Sequence, residues 1–407
     1  MRALIFILPL LALAAPLSAE PGLPDDAAIG RALDEHPSVQ AARARTEAAR
    51  ARANGLRAGP HEFTFSGSYI RRSVDREGKF DEYDAQVSRA LRLPGKGRLD
   101  REIGAFGVEA AENLAEDARH QAALLLAGHW FDWLSASAQA RVDAAAVTNY
   151  AAALKAIKRR HELRDAAQLD VDQASAALAA ARLAAEQSNG MAALARSRLA
   201  NHFPALPLPA EAPDVPMPEI AEARLSQLRD LVIANSHEIA AAEAEARRMA
   251  AVADRTSKDR LADPSVGLRV FSERGGAERG AGVVFSVPLG GSHRKALAQE
   301  AGASASAARA EEQLARFAVQ ETADADVTEA RYRLAAWHRA RETVEAQMAA
   351  LGKLRRGHEL GEIDLADLLL GERMVHDAFR IEASARTEAV RAITKLRIDS
   401  HELWLAD

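Results

Sequence analysis

His358–Leu370 reads HELGEIDLADLLL, and His161–Gln173 reads HELRDAAQLDVDQ. Both open on His-Glu-Leu, and both carry an aspartate nine residues after the histidine, Asp367 and Asp170. One offset relates them, since 358 − 161 = 197 and 367 − 170 = 197. Each stretch interrupts a long helical pattern. They read as two copies of one helical hairpin tip, and the rest of the chain falls into place around them.

Before the first tip, a helical pattern runs almost unbroken from about Arg98 to His161, and the returning helix spans about Ala167 to Asn201. Before the second, a helix runs from about Arg294 to Arg356, and a last one reaches about Trp404. The first of these would be roughly 95 Å long at 1.5 Å per residue, far beyond an ordinary globular helix. Abundant alanine and few aromatics suit such helices packed closely side by side. Further helices are expected over about 25–58 and about 220–259.

Between these helices the hydrophobic period changes to two. In Glu62–Ile70, Phe63, Phe65, Gly67 and Tyr69 alternate with Thr64, Ser66 and Ser68. In Phe80–Leu93, Tyr83, Ala85, Val87, Leu91 and Leu93 alternate with polar residues, Arg89 being the exception. The spacing predicts a β-hairpin with one apolar face, looped at Arg71–Lys79. The second half repeats it: Val266, Leu268 and Val270, a loop at Arg274–Arg279, then Ala281, Val283, Phe285 and Val287. Pro94-Gly95-Lys96-Gly97 ends the first hairpin and Pro288-Leu289-Gly290-Gly291 the second, with 288 − 94 = 194. An internal duplication therefore covers almost all of residues 20–407. The first repeat is placed at 20–202, with strands at about 62–93 and a tip at about 161–170. The proline-rich segment 203–219 links it to the second repeat, 220–407, with strands at about 264–288 and a tip at about 358–367.

Residues 1–19 have the form of a secretory signal: Arg2, then the apolar run Ala3–Ala15, then Leu17-Ser18-Ala19. That run is short of the ~20 residues that span a bilayer. No other stretch is long and apolar enough for a membrane helix, so entry into a membrane would require a closed β-barrel. The net charge of −5 offers no basic footprint for nucleic acid. The chain has no cysteine, which excludes thiolate metal sites, disulfides, a cysteine nucleophile and a lipidated cysteine.

A lone hairpin is not stable in water. Two hairpins could pair as four strands, but four strands keep open edges. Several copies of the chain could close them, with apolar faces toward lipid and polar faces lining a lumen. The long helices carry too many charges to span a bilayer and belong in an aqueous compartment.

The order helix–hairpin–helix–turn–helix, repeated, resembles the TolC-type outer-membrane efflux family. So do Leu-Pro-Gly-Lys-Gly-Arg at 93–98, Val-Pro-Leu-Gly-Gly at 287–291 and the turn Gly361–Asp367. The resemblance covers roughly residues 25–402. It implies a mainly α chain with β: duplicated long-helix hairpins forming a periplasmic α-barrel. Four strands per chain would then build a trimeric, twelve-stranded outer-membrane β-barrel. It also implies a homotrimer in outer-membrane lipid, docked to a periplasmic adaptor (membrane-fusion) protein and an inner-membrane pump of the resistance-nodulation-division type. The duct would be passive, without a cofactor. Within the family, the short chain without a long tail leans toward channels of heavy-metal cation pumps of the cobalt-zinc-cadmium type. Drug-efflux and type I protein-secretion ducts share the architecture.

The resemblance gives the tips a role. There the helices coil inward, and acidic residues form a constriction. Asp367 matches that position, Asp170 is its counterpart, and Asp364 stands nearby. In a trimer each would supply a ring of three carboxylates that attracts cations and repels itself. The family's second acidic position is occupied by Leu370 and Gln173, so a two-tier acidic gate is not expected. Asp364 and Asp367 also sit where acids stabilise a helix start. Leu360, Gly361, Leu163 and Arg164 are the candidates for docking an adaptor.

Other chemistry finds little support. A zincin motif needs a second histidine four residues after the first; those positions hold Asp165 and Glu362. His120 and His129 lack third ligands in local spacing, so metal binding is possible only across chains. Trp130, Phe131, Trp133 and Trp337 are expected to pack among helices, and Phe63, Phe65, Tyr69 and Phe271 to face lipid or an interface. A soluble coiled-coil adaptor is the alternative of another class, but an adaptor has one helical hairpin flanked by small β-domains rather than two copies.

Overall fold

The computed structural model describes residues 20–405, so the signal segment lies outside the described residues. The order of elements repeats. The first copy is α1 Asp26–Asp34, α2 Pro37–Ala58, β1 Phe63–Val74, β2 Gly78–Ala90, α3 Lys96–Glu162 and α4 Gln168–His202. The second is α5 Glu222–Ala234, α6 His237–Lys258, β3 Ser265–Glu273, β4 Glu278–Ser286, α7 Ser292–Glu359 and α8 Leu365–Asp399. Counterparts are closely matched: α3 has 67 residues against 68 in α7, and α4 and α8 have 35 each. Among the described residues no helix is long and apolar enough to cross a membrane.

Both copies break the first helical stretch that the sequence presents as continuous. In the first, Pro37 takes the opening position of α2, where its missing N–H costs nothing, and His36 caps the helix. In the second, the expected single helix over 220–259 is two, because Asn235 and Ser236 divert the backbone. The Ser236 hydroxyl accepts from Ile239 N–H at 3.2 Å, and the Asn235 amide donates to Ser400 O at 3.0 Å. The last helix ends at Asp399, short of Trp404. Its C-terminus turns through His401 at φ 61°, with Glu402 N–H reaching back to Arg397 O.

The four strands form one antiparallel sheet in chain order, β1-β2-β3-β4. The hairpins are longer at their tips than the alternation indicates: β1 runs to Val74 and β2 starts at Gly78, inside the expected loop. Register carries the period-two pattern across the whole sheet. Phe65 pairs with Val87, Val87 with Leu268, and Leu268 with Val283, giving an apolar row four strands wide. Phe63, Arg89, Val266 and Phe285 form another row on the same face. The opposite face carries Ser66, Gln86 and Arg269 in one row. Phe271 lies on that polar side, opposite Asp84, and not with Phe63, Phe65 and Tyr69. Its ring lies over Gly280, where a Cβ would approach it to 2.4 Å. The apolar face is bare: Phe65 is 71%, Leu268 67% and Val283 73% exposed.

The chain divides into two compact units, neither of which is a repeat. Of the described residues, one comprises 20–34, 125–219 and 330–394; the other comprises 35–124, 220–329 and 395–405 and holds the sheet. In the first unit Trp130, Phe131 and Trp133 are buried, and Trp130 Nε1 donates to Gly22 O at 2.8 Å. Trp337 is buried too and donates to Glu382 Oε1 at 2.9 Å.

In the second unit a polar node ties helix ends to strand ends. Lys96 is 1% exposed, and its ammonium donates to Asp263 Oδ1, to Leu261 O and to Asp259 at 2.7–2.8 Å. Asp263 also accepts from Leu93 N–H at 3.0 Å and from His61 at 2.7 Å. This is the physical content of the Pro-Gly-Lys-Gly segment: the lysine clamps the two hairpins' helix-side ends together.

Candidate functional site

The two tips have the same backbone. At the first, Asp165 N–H bonds to Arg160 O at 2.8 Å and Arg164 N–H to His161 O at 2.9 Å. At the second, Glu362 N–H bonds to Gly357 O at 2.9 Å and Gly361 N–H to His358 O at 3.1 Å. Each is a helix stop with one residue in the left-handed region, Arg164 at φ 63° and Gly361 at φ 76°. Glycine suits that conformation; arginine occupies it at a cost of about 1–2 kcal/mol.

The repeated histidine closes the turn. His161 Nδ1 lies 3.0 Å from Ala166 O, and His358 Nδ1 lies 2.9 Å from Ile363 O. At His358 the other nitrogen accepts from Arg160 Nη1 at 3.2 Å, which fixes the proton on Nδ1 and joins one tip to the other. The His-Glu-Leu motif is therefore a clasp. Arg160 is held in turn by Asp165 at 2.9 Å.

The acidic residues divide a single task. Asp364 is the N-cap of α8, its Oδ1 accepting from Asp367 N–H at 2.8 Å. Asp170 stands at the third position of α4 and accepts from Ala167 N–H at 3.0 Å. A full capping box uses both bonds; here each copy makes one. Alanine replaces the capping aspartate in the first tip, so Asp170 takes over. Asp367 is exposed, and among the described residues its carboxylate accepts no hydrogen bond and joins no ion pair. Sequence spacing alone could not separate the two aspartates, because it shows position and not which half of the box is used.

Beneath the tips, Ile157, Ala174 and Leu365 form a buried cluster with Val171 and Leu368 against it. Leu163 and Leu360 stay out of it, 64% and 58% exposed. Gln173 and Leu370 line one cleft of about 490 Å³ between α4 and α8, with Arg373, Asp377 and Arg380.

The histidines noted in the sequence go to separate places. His129 stacks on His202 with ring centres 4.5 Å apart; burial, then the His202 charge, lowers its pKa. His120 instead meets Asp117 and Glu238, their ligand atoms all within 4.8 Å of one another. Glu238 comes from α6, more than a hundred residues away, a distance that local spacing cannot reveal.

The four-stranded open sheet with one bare apolar face and the duplicated pairs of very long polar helices make a fold shared with solved outer-membrane channel structures. Residues 28–202 match the family described as outer membrane efflux protein. No curated protein matches in sequence. Among solved structures, VceC of Vibrio cholerae, an outer membrane protein, is 16% identical with a TM-score of 0.75, over 92% of this chain and 95% of that one. The open-state MtrE outer membrane channel of Neisseria gonorrhoeae is 17% identical with a TM-score of 0.65, over 92% and 88%. CusC is 15% identical with a TM-score of 0.67, over 98% and 99%.

Proposed function

We propose that the chain is one protomer of a trimeric outer-membrane exit duct in a tripartite efflux system. The observation that carries this is the sheet: a bare apolar face four strands wide, with β1 and β4 as open edges. Such a surface is satisfied when copies close it into a barrel, apolar side to lipid and Ser66, Gln86 and Arg269 toward water. The helical tips stand in the periplasm. There exposed Leu163 and Leu360, with the turns at Arg164 and Gly361, offer paired apolar contacts to an adaptor coupled to an inner-membrane pump. The duct is passive and not an enzyme.

The favoured cargo is a divalent metal cation. Its support is the acidic tip, where among the described residues the Asp367 carboxylate makes no hydrogen bond or ion pair and a trimer would gather three such carboxylates. Single-channel conductance in a lipid bilayer tests both levels. The expected result is a cation-preferring pore that divalent cations block, with block weakened in Asp367→Ala and less affected in Asp170→Ala. Recovery of the protein as a soluble periplasmic monomer would overturn the duct. Unchanged block in both variants would overturn the acidic constriction alone.

A further inference from the structure

We propose that Asp117, His120 and Glu238 form a binding site for a divalent transition-metal cation of the zinc class. The site lies within the sheet-bearing unit, on α3 and the first turn of α6. Asp117 and His120 are three residues apart on α3 and share a face. Glu238 approaches from α6, and the three ligand atoms lie within 4.8 Å of one another.

Four observations around the cluster point to a cation. First, His120 and Glu238 open onto a cavity of about 380 Å³, lined also by Gln121, Ser236, Lys395 and His401, so an ion has room and an entry path beside them. Second, His120 is set for ligation. Its Nε2 bonds to Asp399 Oδ1 at 2.7 Å, which leaves Nδ1 for the ion. A carboxylate holding the far nitrogen of an imidazole is the usual support of a metal-binding histidine, since it fixes the tautomer and raises basicity. Third, among the described residues neither carboxylate forms an ion pair with a lysine or arginine. Lys395, which lines the same cavity, is committed to Asp326 and to Asp399. Only the Gln121 amide stands between them, 3.4 Å from Asp117 Oδ1 and 3.4 Å from Glu238 Oε1, at the long limit of a hydrogen bond. Fourth, a second imidazole is close: the His401 ring is 5.3 Å from His120 and 4.8 Å from His237, centre to centre.

The ligand chemistry selects the ion. One imidazole with two carboxylates suits zinc, cobalt, nickel or manganese; calcium and magnesium prefer oxygen alone. A tetrahedral site with bonds of about 2.0–2.1 Å places ligand atoms about 3.3 Å apart. The present spread closes to that by side-chain rotations of about 1.5 Å once Gln121 swings away. A bound ion would pin α6 to α3 and neutralise the two carboxylates. The site rests on this geometry and not on the duct or its cargo.

Cobalt(II) titration of the chelator-treated, detergent-solubilised full-length protein tests it, read by visible ligand-field absorption. We expect about one cobalt per protomer, displaced by zinc. Glu238→Gln and His120→Ala should each weaken binding at least tenfold, whereas the double variant His161→Ala/His358→Ala should bind as wild type does. Glu238→Gln keeps the side chain's shape, so it answers even where His120→Ala fails to fold. Absence of a cobalt band, or wild-type affinity in Glu238→Gln, overturns the site without touching the duct, which conductance measures separately.

Discussion

Asp263→Ala puts the node at the helix–strand junction to a quantitative test. Asp263 accepts from Lys96, from Leu93 N–H and from His61. Burial pushes its carboxyl pKa up, but those three hydrogen bonds and the lysine charge outweigh it and bring it down to about 2. Against an ordinary aspartate, that preference for the charged form is worth about 2 kcal/mol. The sign follows: the contribution is complete above the unfolded pKa near 4 and is lost as pH falls through about 2. Alanine forfeits it and strands Leu93 N–H. It also leaves the buried Lys96 with only Asp259 and Leu261 O. Breaking a buried pair from one side costs about 3–5 kcal/mol. The two remaining partners place this case at the low end, about 3 kcal/mol. Amide hydrogen exchange read by mass spectrometry should then show peptides covering 90–97 and 259–264 losing about two decades of protection. Lys96→Met should lose a similar amount, and the double variant less than the sum, with coupling of about 1–3 kcal/mol. Changes below threefold in the single variants, or strict additivity, would refute the node.

The tips and the buried charges give further tests. Asp364→Ala and Asp170→Ala should each destabilise their helix start by about 1 kcal/mol, seen as faster exchange in residues 365–368 and 168–171 respectively, while Asp367→Ala leaves exchange there unchanged. Arg164→Gly should raise the thermal midpoint by relieving the left-handed arginine, a gain of about 0.5–1 kcal/mol, and Gly361→Ala should lower it by about 1 kcal/mol. Asp326 lies beside Asp399 and Lys395, and burial followed by its hydrogen bond to Asp399 pushes its pKa up to about 7. Its stabilising contribution is whole below pH 4 and disappears as pH rises through about 7; Asp326→Asn should flatten that part of the stability profile measured by thermal melting.

The fold was legible where side chains repeat at a constant period. Alternation of Phe63, Phe65 and Tyr69, and of Val266, Leu268 and Val270, gave strands and an apolar face, because strand geometry sends every second residue to one side. The His-Glu-Leu echo gave the tips. The helix break at Asn235-Ser236 was hidden, since the apolar pattern continues through it and only a partner at Ser400 shows why it stops there. Phe271 was misplaced for a related reason: an aromatic in a strand looks apolar-facing until register sets it opposite Asp84. At the tip, the aspartates were visible but their duties were not, because a cap bond depends on backbone within a few ångströms. The Asp117, His120 and Glu238 grouping was out of reach altogether, as it joins segments separated by the rest of α3, by α4, by the linker and by α5.

The shared cap has a consequence for symmetry. Two tips built on one offset would place six equivalent turns around a trimer and make the ring sixfold in outline. The cap bonds do not follow that symmetry. In one tip the third-position carboxylate is tied to its own backbone; in the other the cap residue does that work and the carboxylate is free. Electrically, such a ring would be threefold, with engaged and free carboxylates alternating around it. An ion or a partner protein approaching the ring would meet three charges spaced by three masked ones. Changing one residue, Ala167→Asp, would add the missing cap bond and complete the box with Asp170 still engaged, so the threefold pattern would persist.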